Sequence, residues 1–500
     1  MSTPARPSPL LFTRALIACA LALQLAGAAI GSFRADDWTN LERGRWALTP
    51  EGFAAIWTGL NPFTLYRPLV DLWHGAMLAV FGLNAAPMLA VMALLLLAQT
   101  VLLARLARER GGSALAGALA AAAMWTQANT FTWTTQWVSN VTGSLLALFS
   151  LLALVQHHRA VRAASSGRSA LPAIAAMLAS FVAGALCKEE IVLLPAALAA
   201  LEMARWRRLD ERQRSAATRS WLALSVTAAV YLWFRTQLLP TPQAGETRYH
   251  LQIGTHMFYS VGYFALHLGA MPAVVWAVTR AAWPAAHARS VWDSPQGRAA
   301  REEALGAALW AAAAILLYLP ISGRPGFGYL YMPAFAVAYG AGRLLAHAAE
   351  HAAPGRAGPA GALAVHGAIA TLLTAAGLVA GQWHTFAPLT REAWATLDRE
   401  WPSPPAGARF VFLDPSGPET FVGRSVFNLV FDGATGSMLR LHYDRDDLQG
   451  STLYGPLEKS LAALPEGTTA VYLTSLGRIE RLVNVPPRRA DDGAVPGGPR

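Results

Sequence analysis

Apolar runs long enough to cross a bilayer recur along most of this chain, at 11–31, 86–104, 113–125, 141–157, 170–186, 191–204, 219–239, 256–279, 303–320, 327–345 and 360–381. A helical crossing needs roughly 17 to 25 mostly apolar residues, and within hydrocarbon only a helix or a closed barrel satisfies its own backbone polar groups. The expectation is an all-α polytopic membrane protein with about eleven spans. Composition agrees, because 14% of the residues are charged where a soluble domain has about a quarter.

The net charge of +10 would suit nucleic acid if it were gathered on one soluble face. Instead the basic residues are short Arg clusters between apolar runs, so no nucleic-acid partner is expected. With the N-terminus inside, Arg105, Arg108 and Arg110, then Arg159, Arg162 and Arg168, then Arg205, Arg207, Arg208, Arg212, Arg214 and Arg219, then Arg280, Arg289, Arg298 and Arg301, then Arg343 and Arg356 all fall on the cytoplasmic side. This is the positive-inside pattern of an inner (plasma) membrane protein. Arg6, Arg14, the first run and Ala26-Gly27-Ala28 also fit a secretory signal peptide with its cleavage site. In either case the residues after the first run lie outside the cytoplasm.

First among those residues are Asp36 and Asp37. Ionised carboxylates at the edge of hydrocarbon are either a solvated helix flank or functional groups. The loop they open, 32–85, holds Trp38, Trp46, Trp57 and Trp73 and an amphipathic stretch from Pro68 to Phe81. It reads as helices lying in the membrane interface, with an active-site wall or a further span at 68–85 as the alternatives.

From Gln382 the chain turns polar. Ala408–Pro415 and Thr469–Leu473 read as strands ended by turns, and Arg440 to Asp447 alternates charge and bulk. The expected organisation is a transmembrane domain over 1–381, a small extracytoplasmic α/β or α+β soluble domain over 382–485, and a disordered tail over 486–500. Two cysteines, Cys19 and Cys187, support no disulfide framework.

Lysine occurs only at 188 and 459 in this Arg-rich chain. Lys188 sits in the outward turn Cys187-Lys188-Glu189-Glu190, where a cation can neutralise a phosphate and a carboxylate can orient it; a snorkelling helix-end pair is the plain alternative. The turn Ser322 to Tyr331 brings Arg324, Tyr329 and Tyr331 to a second outer mouth, as phosphate ligand or interfacial anchors. The twelve His are scattered, so no metal cluster stands out.

These motifs occur in a recognisable order: the acidic pair, Tyr66-Arg67-Pro68-Leu69-Val70-Asp71-Leu72 running to Phe81-Gly82-Leu83-Asn84, Trp137-Val138-Ser139, Cys187-Lys188-Glu189 with Pro195, and Tyr329-Leu330-Tyr331-Met332-Pro333. Over roughly residues 10 to 345 the chain resembles the GT-C class of integral-membrane glycosyltransferases, in the branch of the protein O-mannosyltransferases and their bacterial relatives. Three departures stand out. Gly328 occupies the place of the Arg that usually precedes the first Tyr, with Arg324 a few positions upstream, and Cys187 replaces a Ser. The loop before Trp137 offers Gln127, Asn129, Thr134, Thr135 and Gln136 in place of a His-Pro and Glu pattern.

The resemblance implies a sugar donor on a polyprenyl phosphate, a periplasmic acceptor and an acid of the first outer loop as base. Asp36 or Asp37 would take the acceptor proton, while Arg67, Lys188, Glu189, Arg324, Tyr329 and Tyr331 would hold the donor. Cations placed where charge develops on the leaving phosphate lower the barrier. A divalent cation (Mg or Mn) on Asp36 and Asp37 could share that work. A multi-pass transporter or lipid flippase is the rival reading, although the internal repeats and broken helices common in transporters are not visible; a membrane scaffold acting through its tail is a third.

Overall fold

The computed structural model describes residues 9–29, 31–34, 36–58, 66–110, 112–126, 137–237, 253–282, 289–316, 318–319, 330–351, 387–415, 434–475 and 478–482. The chain divides into two compact units, one of residues 1–30, 44–81 and 85–380, the other of residues 31–43, 82–84 and 381–500.

The first unit is helical. Its helices are α1 (Pro9–Ala29), the end of α2 (Asp36–Ala47), α3 (Pro50–Thr58), α4 (Pro68–Phe81), α5 (Ala85–Glu109), α6 (Ala114–Thr126), α7 (Val141–Ser165), α8 (Leu171–Ala185), α9 (Leu194–Arg205), α10 (Glu211–Gln237), α11 (His256–Ala282), α12 (Arg289–Trp292), α13 (Pro295–Leu316) and α14 (Tyr331–Glu350). Every expected span up to residue 345 coincides with one of these helices, while 360–381 lies outside the described residues. Helices α5 and 138–165 are long and apolar enough to cross a membrane by length and composition. Start signals are local: α4 and α13 open on Pro68 and Pro295, and α8 and α9 carry a proline in the first turn, where a missing N–H costs nothing.

Helices α13 and α14, α6 and α14, α7 and α8, and α9 and α13 are the closest neighbours. Leu96, Leu103, Met124, Leu146, Phe181, Leu198, Trp310, Phe335 and Tyr339 interlock in the core between them. Small residues permit the close approach. A side chain on Gly342 of α14 would meet the Ala120 backbone nitrogen of α6 at 2.4 Å, the tight helix contact that membrane bundles build from Gly and Ala. On α10 the large side chains Trp221, Leu222, Val226, Val230 and Trp233 stay exposed, a surface that hydrocarbon accepts and water does not.

The second unit holds α15 (Ala387–Glu400), β1 (Arg409–Asp414), α16 (Thr435–Tyr443), β2 (Gln449–Tyr454), α17 (Leu457–Ala462), β3 (Ala470–Ser475) and β4 (Arg478–Arg481), together with 31–43. The sheet order is β2-β1-β3-β4, with β1 parallel to both neighbours and β4 antiparallel to β3. The central strand reads as one apolar run because both its faces are covered: Phe410, Val411, Phe412 and Leu413 are all buried. The two strands read from sequence are β1 and β3. The alternation from Arg440 to Asp447 resolves differently, into the last turn of α16 ended by Asp444 in the left-handed region at φ 50°. Asp is among the residues that tolerate that conformation.

Candidate active site

The acidic pair opens α2. Both carboxylates lie in its first turn, where the positive end of the helix dipole favours them. Their environments differ sharply. Asp37 is fully buried and its Oδ2 accepts the backbone N–H of Arg34 at 2.9 Å, while its own N–H donates back to the Arg34 carbonyl at 2.8 Å. Burial lowers the Arg34 guanidinium to about 10, with the Asp37 charge opposing that shift. Asp36 is exposed. Successive helical residues are turned about 100° from one another, so the two carboxylates diverge and do not form a chelating pair. Among the described residues no group of three His, Cys, Asp or Glu gathers to hold a metal ion.

The Lys188 turn follows α8. The N–H groups of Cys187 and Lys188 both donate to the Gly184 carbonyl, and a short 3-10 turn, Glu189–Leu193, leads into α9. Leu69 at the start of α4 donates its N–H to the Leu186 carbonyl at 3.2 Å. That bond brings Arg67 to the turn, where its Nη2 donates to Glu189 Oε1 at 3.1 Å and Oε2 at 3.4 Å. Lys188 Nζ pairs with Glu190 Oε1 at 2.5 Å. Burial pushes the Glu189 carboxyl up, but Arg67, its own backbone N–H and Lys188 together hold it at about 2. Burial also pushes the Cys187 thiol up to about 12, against the pull of Arg67, and the side chain packs in a cluster with Val70, Met92, Val141 and Leu145.

Beside Glu190 lies a small cavity of about 20 Å³ walled by Ile191, Leu194, Trp310, Ala314 and Met332, room for about one water. Tyr331 is drawn into the bundle, 1% exposed. Its hydroxyl donates to Gln99 Oε1 at 2.6 Å and accepts from Ser144 Oγ at 3.3 Å, while Gln99 Nε2 donates to the Ser144 carbonyl at 2.7 Å. That closed ring ties α5, α7 and α14 together. Arg324 and Tyr329 lie outside the described residues.

Sequence reasoning passed over two groups. Arg34 is the first, hidden because nothing local shows that it will be buried beside Asp37. The second is an ionic knot. Arg110 donates to Glu202 Oε1 at 2.7 Å, Glu303 Oε2 at 3.0 Å and the Leu201 carbonyl at 3.0 Å, and Tyr339 donates to Glu303 Oε2 at 2.6 Å. Arg205 adds two bonds to Glu202. The sequence places Arg110 among the cytoplasmic loop charges, but a guanidinium 2% exposed between two carboxylates is a structural tie.

Comparison with solved structures decides the architecture. The structure of ArnT from Cupriavidus metallidurans in the apo state superposes with a TM-score of 0.56 at 14% identity, covering 92% of this chain and 92% of that one. The chain has the GT-C fold. The ArnT structure bound to undecaprenyl phosphate matches with a TM-score of 0.52, again at 14% identity and 92% of both chains; ArnT is a GT-C glycosyltransferase. No protein-family model and no curated protein sequence matches the chain. The helical unit and the small mixed sheet are both parts of the GT-C architecture seen here.

Proposed function

We propose that this protein is an inverting glycosyltransferase of the bacterial inner membrane, moving a sugar from a polyprenyl-phosphate carrier to an acceptor on the periplasmic side. The observation that carries this reading is the end-to-end GT-C fold, shared with a protein whose structure holds undecaprenyl phosphate. In this reading the N-terminus is cytoplasmic and the C-terminal domain periplasmic.

Asp36 is assigned as the base. It is the exposed member of the pair, whereas Asp37 is engaged by Arg34. A base has to reach the acceptor proton within a hydrogen bond, which an accessible carboxylate at a helix start can do. Lys188 and Arg67 are assigned to the donor phosphate. Each already meets a carboxylate, so an arriving phosphate would extend or replace those pairs with stronger charge-assisted bonds. The motifs resembling protein O-mannosyltransferases point to a hydroxyl acceptor.

Mass spectrometry of envelope glycans and lipids tests the proposal, comparing a strain lacking the protein with the same strain carrying wild type or Asp36→Asn. One glycosylated species should vanish on deletion, return with wild type and stay absent with the variant. Identical profiles in all three strains would sink the reading.

A further inference from the structure

The helix that carries the acidic pair has little to hold it in place by itself. Its sequence, Asp36 to Ala47, is polar and twelve residues long, and isolated helices of about 12 to 15 residues are marginal in water. Its orientation must come from tertiary contacts, and its first two turns meet the C-terminal domain at two places. Arg440 of α16 donates from Nε to Glu42 Oε1 and from Nη2 to Glu42 Oε2 at 3.0 Å, a fork of two parallel bonds spanning 398 positions of sequence. Trp38 is buried and meets Trp394 of α15 edge-on, with ring centroids 5.3 Å apart. Trp394 in turn stacks on His442 at 3.9 Å and 11°, and His442 Nε2 lies 2.7 Å from Asp398 Oδ1.

Helical geometry gives this grip a direction. At about 100° per residue, Trp38 and Glu42 lie about 40° apart on one face, and that face is roughly opposite Asp36. The C-terminal domain therefore grips the back of the helix while Asp36 stands exposed on the front. A bidentate guanidinium–carboxylate pair fixes angle as well as distance, and the Trp38–Trp394 contact adds a second point that prevents rotation about the first.

We infer that Arg440 and Trp394 are positioning residues for Asp36, so that the C-terminal domain is a working part of the catalytic apparatus. The inference rests on the assignment of Asp36 as the base. Reactivity is steep in geometry: a misplacement of about 1 Å can cost about 10²-fold. Loosening the clamp should therefore slow the chemical step and leave donor binding alone.

The test uses the full-length protein in detergent or nanodiscs with Arg440→Ala, Trp394→Leu and the exchange Glu42→Arg with Arg440→Glu. Transfer from a polyprenyl-phosphate sugar is measured alongside backbone hydrogen exchange over 36–43. For both single variants kcat is expected to fall at least about tenfold with the donor KM unchanged, while exchange in 36–43 accelerates and exchange in β1 and β3 does not. The charge exchange should restore a large part of both. Normal kcat in Arg440→Ala despite faster exchange would overturn the inference, and so would unaltered protection of 36–43. A loss of activity that travels with loss of protection in β1 and β3, and that the exchange fails to rescue, would assign Arg440 to folding of the domain and overturn it too. If wild type itself transfers no sugar, the functional reading fails, and the hydrogen-exchange arm still reports whether the clamp sets the helix.

Discussion

Asp37 accepts the Arg34 backbone N–H at 2.9 Å from inside the protein, while its neighbour Asp36 is exposed. Two acids adjacent in sequence thereby sit in two different environments. Asp36→Asn should lower turnover by about 10² to 10⁴-fold, the usual contribution of a general base. Asp37→Asn should instead lower stability, by about 1–3 kcal/mol, because a buried charged acceptor beside Arg34 is lost. Parallel melting curves and transfer assays of the two variants separate the roles; equal melting and equal activity for both would refute the division.

Lys188→Ala and Arg67→Ala are expected to weaken donor binding. A hydrogen bond to a charged group contributes about 1.5–3 kcal/mol, so the KM for the polyprenyl-phosphate sugar should rise about tenfold or more while the acceptor KM stays put. A titration of initial rate against each substrate in turn checks this.

Arg110 supports the fold and takes no part in the proposed chemistry. Arg110→Met leaves Glu202 and Glu303 buried without their shared cation, and breaking a buried pair in this way costs about 3–5 kcal/mol. The purified variant should unfold at a clearly lower temperature than wild type. Converting Glu202 and Glu303 to Gln in the same background should return part of the loss, since the stranded charges are then gone.

Glu189 makes a prediction about pH. Its folded carboxyl sits at about 2, below its ordinary value of 4.5, so the stabilisation from the Arg67 pair is complete above about pH 4.5 and fades as pH falls toward 2. Its side chain is 43% exposed, and solvent screening keeps the effect modest. Wild type should melt above Glu189→Gln at pH 7 and at pH 5 by nearly the same margin, and the margin should shrink below about pH 4.5 and close only as pH approaches about 2. A margin that is instead constant across that range would mean the pair contributes nothing.

Much of the helical architecture was legible along the chain. Apolar runs such as 86–104 and 141–157 became α5 and α7 because hydrophobicity over about 20 residues is a local property. Strands β1 and β3 were readable from bulky apolar blocks ending in turns. Arg440 to Asp447 was not, because a charged helix end closed by a left-handed Asp444 has no alternation rule of its own.

At the site, residue types pointed to chemistry and the order of motifs pointed to a family, but neither ranks one aspartate above the next. That ranking came from Arg34, from burial, and from which face of α2 the C-terminal domain holds. Arg67 meets Glu189 across 122 positions, Arg110 meets Glu303 across 193, and Arg440 meets Glu42 across 398. Local sequence determined that this chain forms membrane-length helices and a small sheet, since helix length and hydropathy are set by near neighbours. Only the tertiary structure decided which charges are structural ties and which remain accessible, because desolvation and ion pairing depend on groups the chain brings together from hundreds of residues away.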